Sequence, residues 1–167
     1  MHGVLLVALA TVAGIGGWSV TPPPAVHTAR VRGLDAKARE VVSAMMTGSP
    51  TAARMVRQLE NSDLIVMVLT DYLPAALGGD LSLVSATPQW RFVRIRLNNM
   101  LPPREQIGML GHELQHALEV AADPRVRDQA SMRRLYERIG HGAWGGPYET
   151  TAAREAGAMV LREMAER

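Results

Sequence analysis

The sequence predicts an α+β fold in which a small, mainly antiparallel sheet precedes a helical C-terminal half. Three observations carry this. Asp63 to Leu69 is a compact apolar run with β-branched residues, the mark of a buried strand. Val93, Ile95 and Leu97 alternate with Arg94 and Arg96, the period of a strand with one wet face. Beyond Pro102-Pro103 the apolar residues recur at helical spacing almost to the end of the chain.

Taken in order, Gly33 to Met46 has Leu34, Ala38, Val41, Val42 and Met45 at helical spacing and predicts a first helix. Thr47-Gly48-Ser49-Pro50 stops it, and Thr51 to Leu59 predicts a second, shorter one. After the Asp63–Leu69 strand, Gly78-Gly79-Asp80 predicts a turn, Leu81 to Ser85 a second strand and Gln89 to Leu97 a third. Pro102-Pro103 stands where a helix would begin, because proline lacks the N–H that a first turn leaves unpaired. The helical remainder is interrupted at Ala122-Asp123-Pro124 and from Gly140 to Pro147.

Composition narrows the class. The 167 residues are 47% apolar and 20% charged, which suits one globular domain and excludes a long disordered, collagen-like or coiled-coil chain. The lack of cysteine excludes disulfide scaffolds, thiol nucleophiles, Cys-based zinc fingers and iron–sulfur clusters. Net charge is only +2, and the basic residues, all arginine except Lys37, are interleaved with acids. Arg125, Arg127, Arg133, Arg134 and Arg138 share their segment with Asp123, Asp128 and Glu137, a mixed solvated face. With one Phe, three Tyr and three Trp there are few rings on which bases could stack. No nucleic-acid partner is expected.

Residues 3–20 carry no charge, and Val4 to Val12 has the length of a signal-peptide core. Thr21-Pro22-Pro23-Pro24 then breaks any helix, and cleavage points follow Ala25 or Ala29. Residues 1–29 are expected to be a signal peptide or an N-terminal membrane anchor, with a buried core helix as the third option. Residues 30–167 would form one domain. It would be exported to the cell envelope (periplasmic or extracellular) or held at a membrane through residues 3–20.

The strongest motif is His112-Glu113-Leu114-Gln115-His116. Histidines at i and i+4 lie on one face of a helix, one turn apart, so both rings can reach a single metal ion. Glu113 points about 100° away around the helix, from where its carboxylate can reach a water on the open side of that ion. Ile107, Leu110, Leu114, Leu118 and Ala121 share the arc that must face the core, whereas Glu105, Gly108, His112, His116 and Glu119 share the opposite arc. The competing interpretation is a surface helix that carries His, Glu and His by accident.

On these residues the chain resembles the zincin metallopeptidases, with a preceding sheet and a downstream Glu-bearing helix, over residues 60–165. The metzincin variant is excluded, because its Gly and third His would fall on Glu119 and Ala122. The sequence is more similar to the gluzincin group, whose third ligand is a Glu on a later helix, often in the pattern Glu-x-x-Ala.

A catalytic zinc usually takes three protein ligands and keeps one position for water. Glu119, His141, Glu149 and Glu155 are the candidates for the third. Glu119 lies one turn beyond His116 on the same face, too far along to share the ion, and is expected to support the site or face solvent. If Pro147 opens a helix, Glu149 shares an arc with Ala152, Ala153, Ala156, Val160 and Met164. An unpaired carboxylate in such an apolar stripe is costly, and a metal would be its partner. Glu155 falls on the other side with Thr151 and Arg162 and reads as solvated. Glu149-x-x-Ala152 also matches the gluzincin pattern, although the Asp that often follows that Ala is Ala153 here. Glu149 therefore leads, with His141 and Glu155 left open. His141, in a glycine-rich loop, could instead line the cleft or donate to an oxyanion, or be an exposed loop residue. Tyr136 and Tyr148 are either oxyanion donors or packing residues.

The resemblance implies Zn2+ held by His112, His116 and Glu149, with Glu113 as general base for an activated water and then as proton donor to the leaving amine. The implied reaction is peptide-bond hydrolysis on a peptide or protein substrate. It further implies that the strand Gln89–Leu97 lines the cleft and pairs with extended substrate. Read without the resemblance, Arg91, Arg94 and Arg96 form the wet face of a sheet edge or, as the second option, bind an acidic partner. Two other classes remain: a metal-binding protein without catalysis, and a membrane-anchored envelope interaction protein.

Overall fold

The computed structural model describes residues 30–140 and 148–166. The expected leader or anchor over residues 1–29, the position of Pro147 and the candidate His141 lie outside the described residues. Among those described, no helix is long and apolar enough to cross a membrane.

The chain is α+β. A four-stranded sheet is built from β1 (Val31–Gly33), β2 (Leu64–Asp71), β3 (Gly79–Ala86) and β4 (Arg91–Asn98). Helices α1 (Ala36–Gly48) and α2 (Pro50–Glu60) lie between β1 and β2. After the sheet come α3 (Pro103–Ala122), α4 (Gln129–Ile139) and α5 (Thr151–Ala165).

The expected first helix begins later than its apolar period suggests. Residues 31–33 are a strand, parallel to β2 with Val31 opposite Val66. Asp35 ends it and caps α1, accepting from the Ala38 N–H at 2.8 Å and from the Thr70 N–H of β2 at 2.8 Å. Ser49 repeats the device at the next break: its hydroxyl accepts from Ala52 N–H at 3.0 Å, and Pro50 opens α2.

The sheet is not mainly antiparallel. Its order is β1-β2-β4-β3; β1 with β2 and β2 with β4 are parallel, and β3 with β4 alone is antiparallel. The link after β2 passes beyond the slot that β4 later fills, so β4 returns antiparallel to β3 and hence parallel to β2. This placement also overturns two expectations for the third strand. β4 is paired on both sides and cannot add a substrate strand. Among the described residues, the free edge near the HExxH helix belongs to β3.

Arg91 is not on a wet face either: it is 1% exposed. Its guanidinium forks onto Asp63 (2.8 and 2.6 Å). It also donates to the carbonyls of Val120 (2.7 Å), Asp123 (2.9 Å), Val126 (3.2 Å) and Ala121 (3.2 Å). These include orphan carbonyls at the C-terminal end of α3, where a cation is also favoured by the helix dipole. Arg96, on the other face of β4, is half-buried and pairs with Asp80 and Asp71.

Helix α3 is covered on both sides. Leu110, Leu114, Ala117 and Val120 face the sheet and are fully buried. The opposite arc, expected to be open, packs on α5. A Cβ on Gly111 would lie 2.8 Å from Val160 Cγ2, and one on Gly157 would lie 2.9 Å from the Gly108 carbonyl oxygen and 3.2 Å from His112 Cβ. Glycine at 157 is what lets α5 approach the turn that carries His112.

Candidate functional site

The residues of the HExxH motif occupy the middle of α3, where no side-chain alternative disturbs the helix. His112 and His116 therefore stand one turn apart, with their Nε2 atoms 3.1 Å from each other. The Glu149 carboxylate approaches both, Oε2 lying 3.6 Å from His112 Nε2 and Oε1 3.9 Å from His116 Nε2. A tetrahedral ion with bonds of about 2.1 Å separates its ligand atoms by about 3.4 Å. The spacing and the two-imidazole, one-carboxylate donor set thus fit a metal ion, and this group could hold one.

Glu149 arrives by a different route from that expected. It precedes α5 rather than belonging to it. Thr150 is the N-cap, its Oγ1 accepting from the Ala153 N–H at 3.1 Å, and its own N–H donates to Glu149 Oε1 at 3.0 Å. The arc argument for Glu149 therefore does not hold, and Ala152 is exposed. The carboxylate is placed by the cap, which fixes the chain just before the helix.

The same cap reaches Glu119. The Thr150 hydroxyl donates to Glu119 Oε1 at 2.6 Å, and Glu119 Oε2 lies 2.8 Å from His116 Nδ1. An ionised carboxylate only accepts, so Nδ1 carries the proton in this bond, and Nε2 is the ring atom on the side of Glu149 and His112. Tyr136 completes the support, donating from its buried hydroxyl to the His116 carbonyl at 3.1 Å. That bond leaves it unsuited to the oxyanion role. Tyr148 is half exposed at the rim of the cleft, its ring centroid 6.2 Å from that of Tyr136. Glu155 is exposed and stands apart from the cluster.

Electrostatics separate the two histidines. Burial and the neighbouring His116 hold His112 below the usual histidine range. Burial also acts to lower His116, but the Glu119 hydrogen bond and the surrounding carboxylates outweigh it, and the net shift is upward. Glu113 is 4% exposed, and burial pushes its carboxyl up to about 7.

Glu113, His112, His116 and Glu149 all line one cleft of about 450 Å3. Its opposite wall is Gly79, Asp80 and Leu81 of β3, and α4 contributes Gln129 and Tyr136. Several of these were invisible in the sequence. Gly79 and Asp80 read as a turn, and nothing marked Gln129. Thr150 did carry a signal, being a Thr just before a periodic helix, the usual cap pattern.

Comparison with family models, curated proteins and solved structures finds no match to this chain. What fold and site together define is an α+β protein with a His-His-Glu group, able to hold a metal ion, in a cleft between a helix and a sheet edge.

Proposed function

We propose that the chain is a zinc-dependent metallohydrolase that cleaves peptide bonds, with a zincin-like placing of an edge strand beside the HExxH helix. The observation that carries this is the convergence of His112 Nε2, His116 Nε2 and the Glu149 carboxylate in the cleft that Glu113 also lines. Zinc would be held by these three residues and would supply Lewis acidity toward a water and a carbonyl. Glu113 is the only carboxylate on α3 that faces the cleft without bonding a histidine, and its role is to take a proton from the attacking water and return it to the leaving amine. Glu119 and Thr150 hold His116 in the ligating tautomer. Backbone groups of Gly79 and Leu81 orient an extended substrate by strand pairing. The charge-free run of residues 3–20 supports export to the cell envelope, or attachment to a membrane, as part of the same proposal.

Metal analysis of the purified chain, with hydrolysis of a peptide library, tests the proposal. The expected result is stoichiometric zinc that is lost in His112→Ala and Glu149→Ala and kept in Glu155→Ala. Glu113→Gln should keep the metal and lose activity by about 1000-fold or more. Full activity in Glu113→Gln would overturn its role. Stoichiometric zinc with no hydrolysis would leave a metal-binding protein without catalysis.

A further inference from the structure

The free edge of β3 has a definite phase. Asn98 N–H donates to the Gly78 carbonyl at 2.9 Å, and in an antiparallel ladder hydrogen-bonded pairs alternate along the strand. Gly78, Asp80 and Ser82 therefore turn their peptide groups toward β4, and Gly79, Leu81 and Leu83 turn theirs outward. Outward carbonyls would accept from a docked peptide strand. At Leu83 that place is already taken: Gln129 Nε2 donates to its carbonyl at 2.7 Å. A carboxamide is chemically a peptide group, so Gln129 occupies the position of the next amide of a bound strand.

The backbone that carries Gln129, itself an exposed residue, is fixed at a helix start. Gln129 is the first residue of α4, and Asp128 caps that helix with a reciprocal box to Ser131. Met132, Leu135 and Tyr136 bury the helix behind it, and Arg127 donates to the Thr87 carbonyl where β3 ends. The catalytic end of the edge is equally defined, since a Cβ on Gly79 would lie 3.2 Å from Glu113 Oε1. From Gly79 to Leu83 the strand runs about 13 Å, room for about four residues of extended peptide.

We propose that Gln129 is an end-stop: an extended peptide pairs with Gly79 and Leu81 and is blocked at Leu83. The substrate class is then a short peptide, or the terminus of a longer one, with no more than about four residues on that side of the reacting bond. This deepens the peptide-hydrolase proposal and rests on it.

Binding to zinc-loaded Glu113→Gln protein, read by fluorescence anisotropy, tests it with acetylated and amidated alanine-rich peptides of graded length. Affinity should stop rising once the peptide fills the open edge. With Gln129→Ala added it should keep rising, reaching about fivefold or more for the longest peptides. Gln129→Glu, which keeps the shape but places an acceptor against the Leu83 carbonyl, should act in the same direction. Identical length dependence with and without Gln129, or no binding of any peptide, overturns the end-stop. Hydrolysis by the wild type is read in parallel. Activity without a Gln129 effect refutes the end-stop alone, and length-limited binding without hydrolysis refutes the hydrolase proposal alone.

Discussion

Replacing Arg91 by Met tests how the site helix is fastened to the sheet. The guanidinium is 1% exposed and spans three things at once: β4, the Asp63 carboxylate, and the carbonyls at and beyond the end of α3. Methionine preserves much of the volume, so packing loss is small and the polar terms decide. Removing one partner of a buried ion pair typically costs about 3–5 kcal/mol, because the other groups lose their compensation. Here Asp63 is one-third exposed and can rehydrate, which discounts its share. The carbonyls of Val120, Asp123 and Val126 meet the Arg91 Nη1 inside the protein and cannot rehydrate as readily. We therefore expect Arg91→Met to cost about 3–4 kcal/mol, or a fall in Tm of about 10 °C. Asp63→Asn should cost only about 1 kcal/mol. Arg91→Lys should fall nearer to Met than to wild type, since an ammonium cannot fork onto Asp63 and reach three carbonyls together. Urea unfolding followed by circular dichroism gives all three values. If Arg91→Met lay within about 1 kcal/mol of wild type, or Asp63→Asn cost as much, the anchoring argument would be refuted.

Three further outcomes are expected. Glu119→Gln removes the carboxylate acceptor at His116 Nδ1 and should weaken binding of the proposed zinc ion about 10–100-fold in a competition with a chromophoric chelator, with an unchanged circular dichroism spectrum. The Arg91 hydrogen bonds hold the Asp63 carboxyl below its ordinary value, so its stabilisation is full above about pH 4 and is lost as pH falls through the folded value; that acid-side loss should disappear in Arg91→Met when urea midpoints are compared across pH. Gly157→Ala gains helix propensity of about 1 kcal/mol but drives a Cβ against the Gly108 carbonyl, and net destabilisation of about 1 kcal/mol, with weaker metal binding through the displaced His112 turn, should be seen by the same assays.

Much of the fold was legible because local rules governed it. The α2, β2, β3 and β4 segments follow from apolar period and turn residues, and each lies within a few residues of its expected place. Strand order was not legible, because pairing is decided by where the β2–β3 link lets β4 enter, and three short strands in succession look antiparallel. The start of α1 was lost to a competing rule: Leu34 has the right period, but Asp35, itself extended, caps the helix, and Gly33 ends the strand β1. Arg91 was misread since alternation marks the dry face by apolar residues, and a buried arginine on that face is silent without its partners.

The site was legible to the extent that one helix could encode it. The i, i+4 spacing of His112 and His116 is a property of α3 alone and survives into the fold. The arc argument for Glu149 does not carry over to the fold, since the residue stands before α5 and shares no helical arc with it. What places it is a chain of contacts that crosses elements: Glu149 to the Thr150 N–H, the Thr150 hydroxyl to Glu119, and Glu119 to His116. Only its cap residue and the two carboxylates are visible in sequence, each with an ordinary alternative role. Their conjunction carries a consequence for how the site is held. Glu119 has one oxygen on His116 and the other on the cap of α5, so it fixes both the ring tautomer and the approach of the segment bearing Glu149. A change at Thr150 should then propagate to both sides of the cluster, whereas a change at Glu155, on the same helix but exposed, should reach neither.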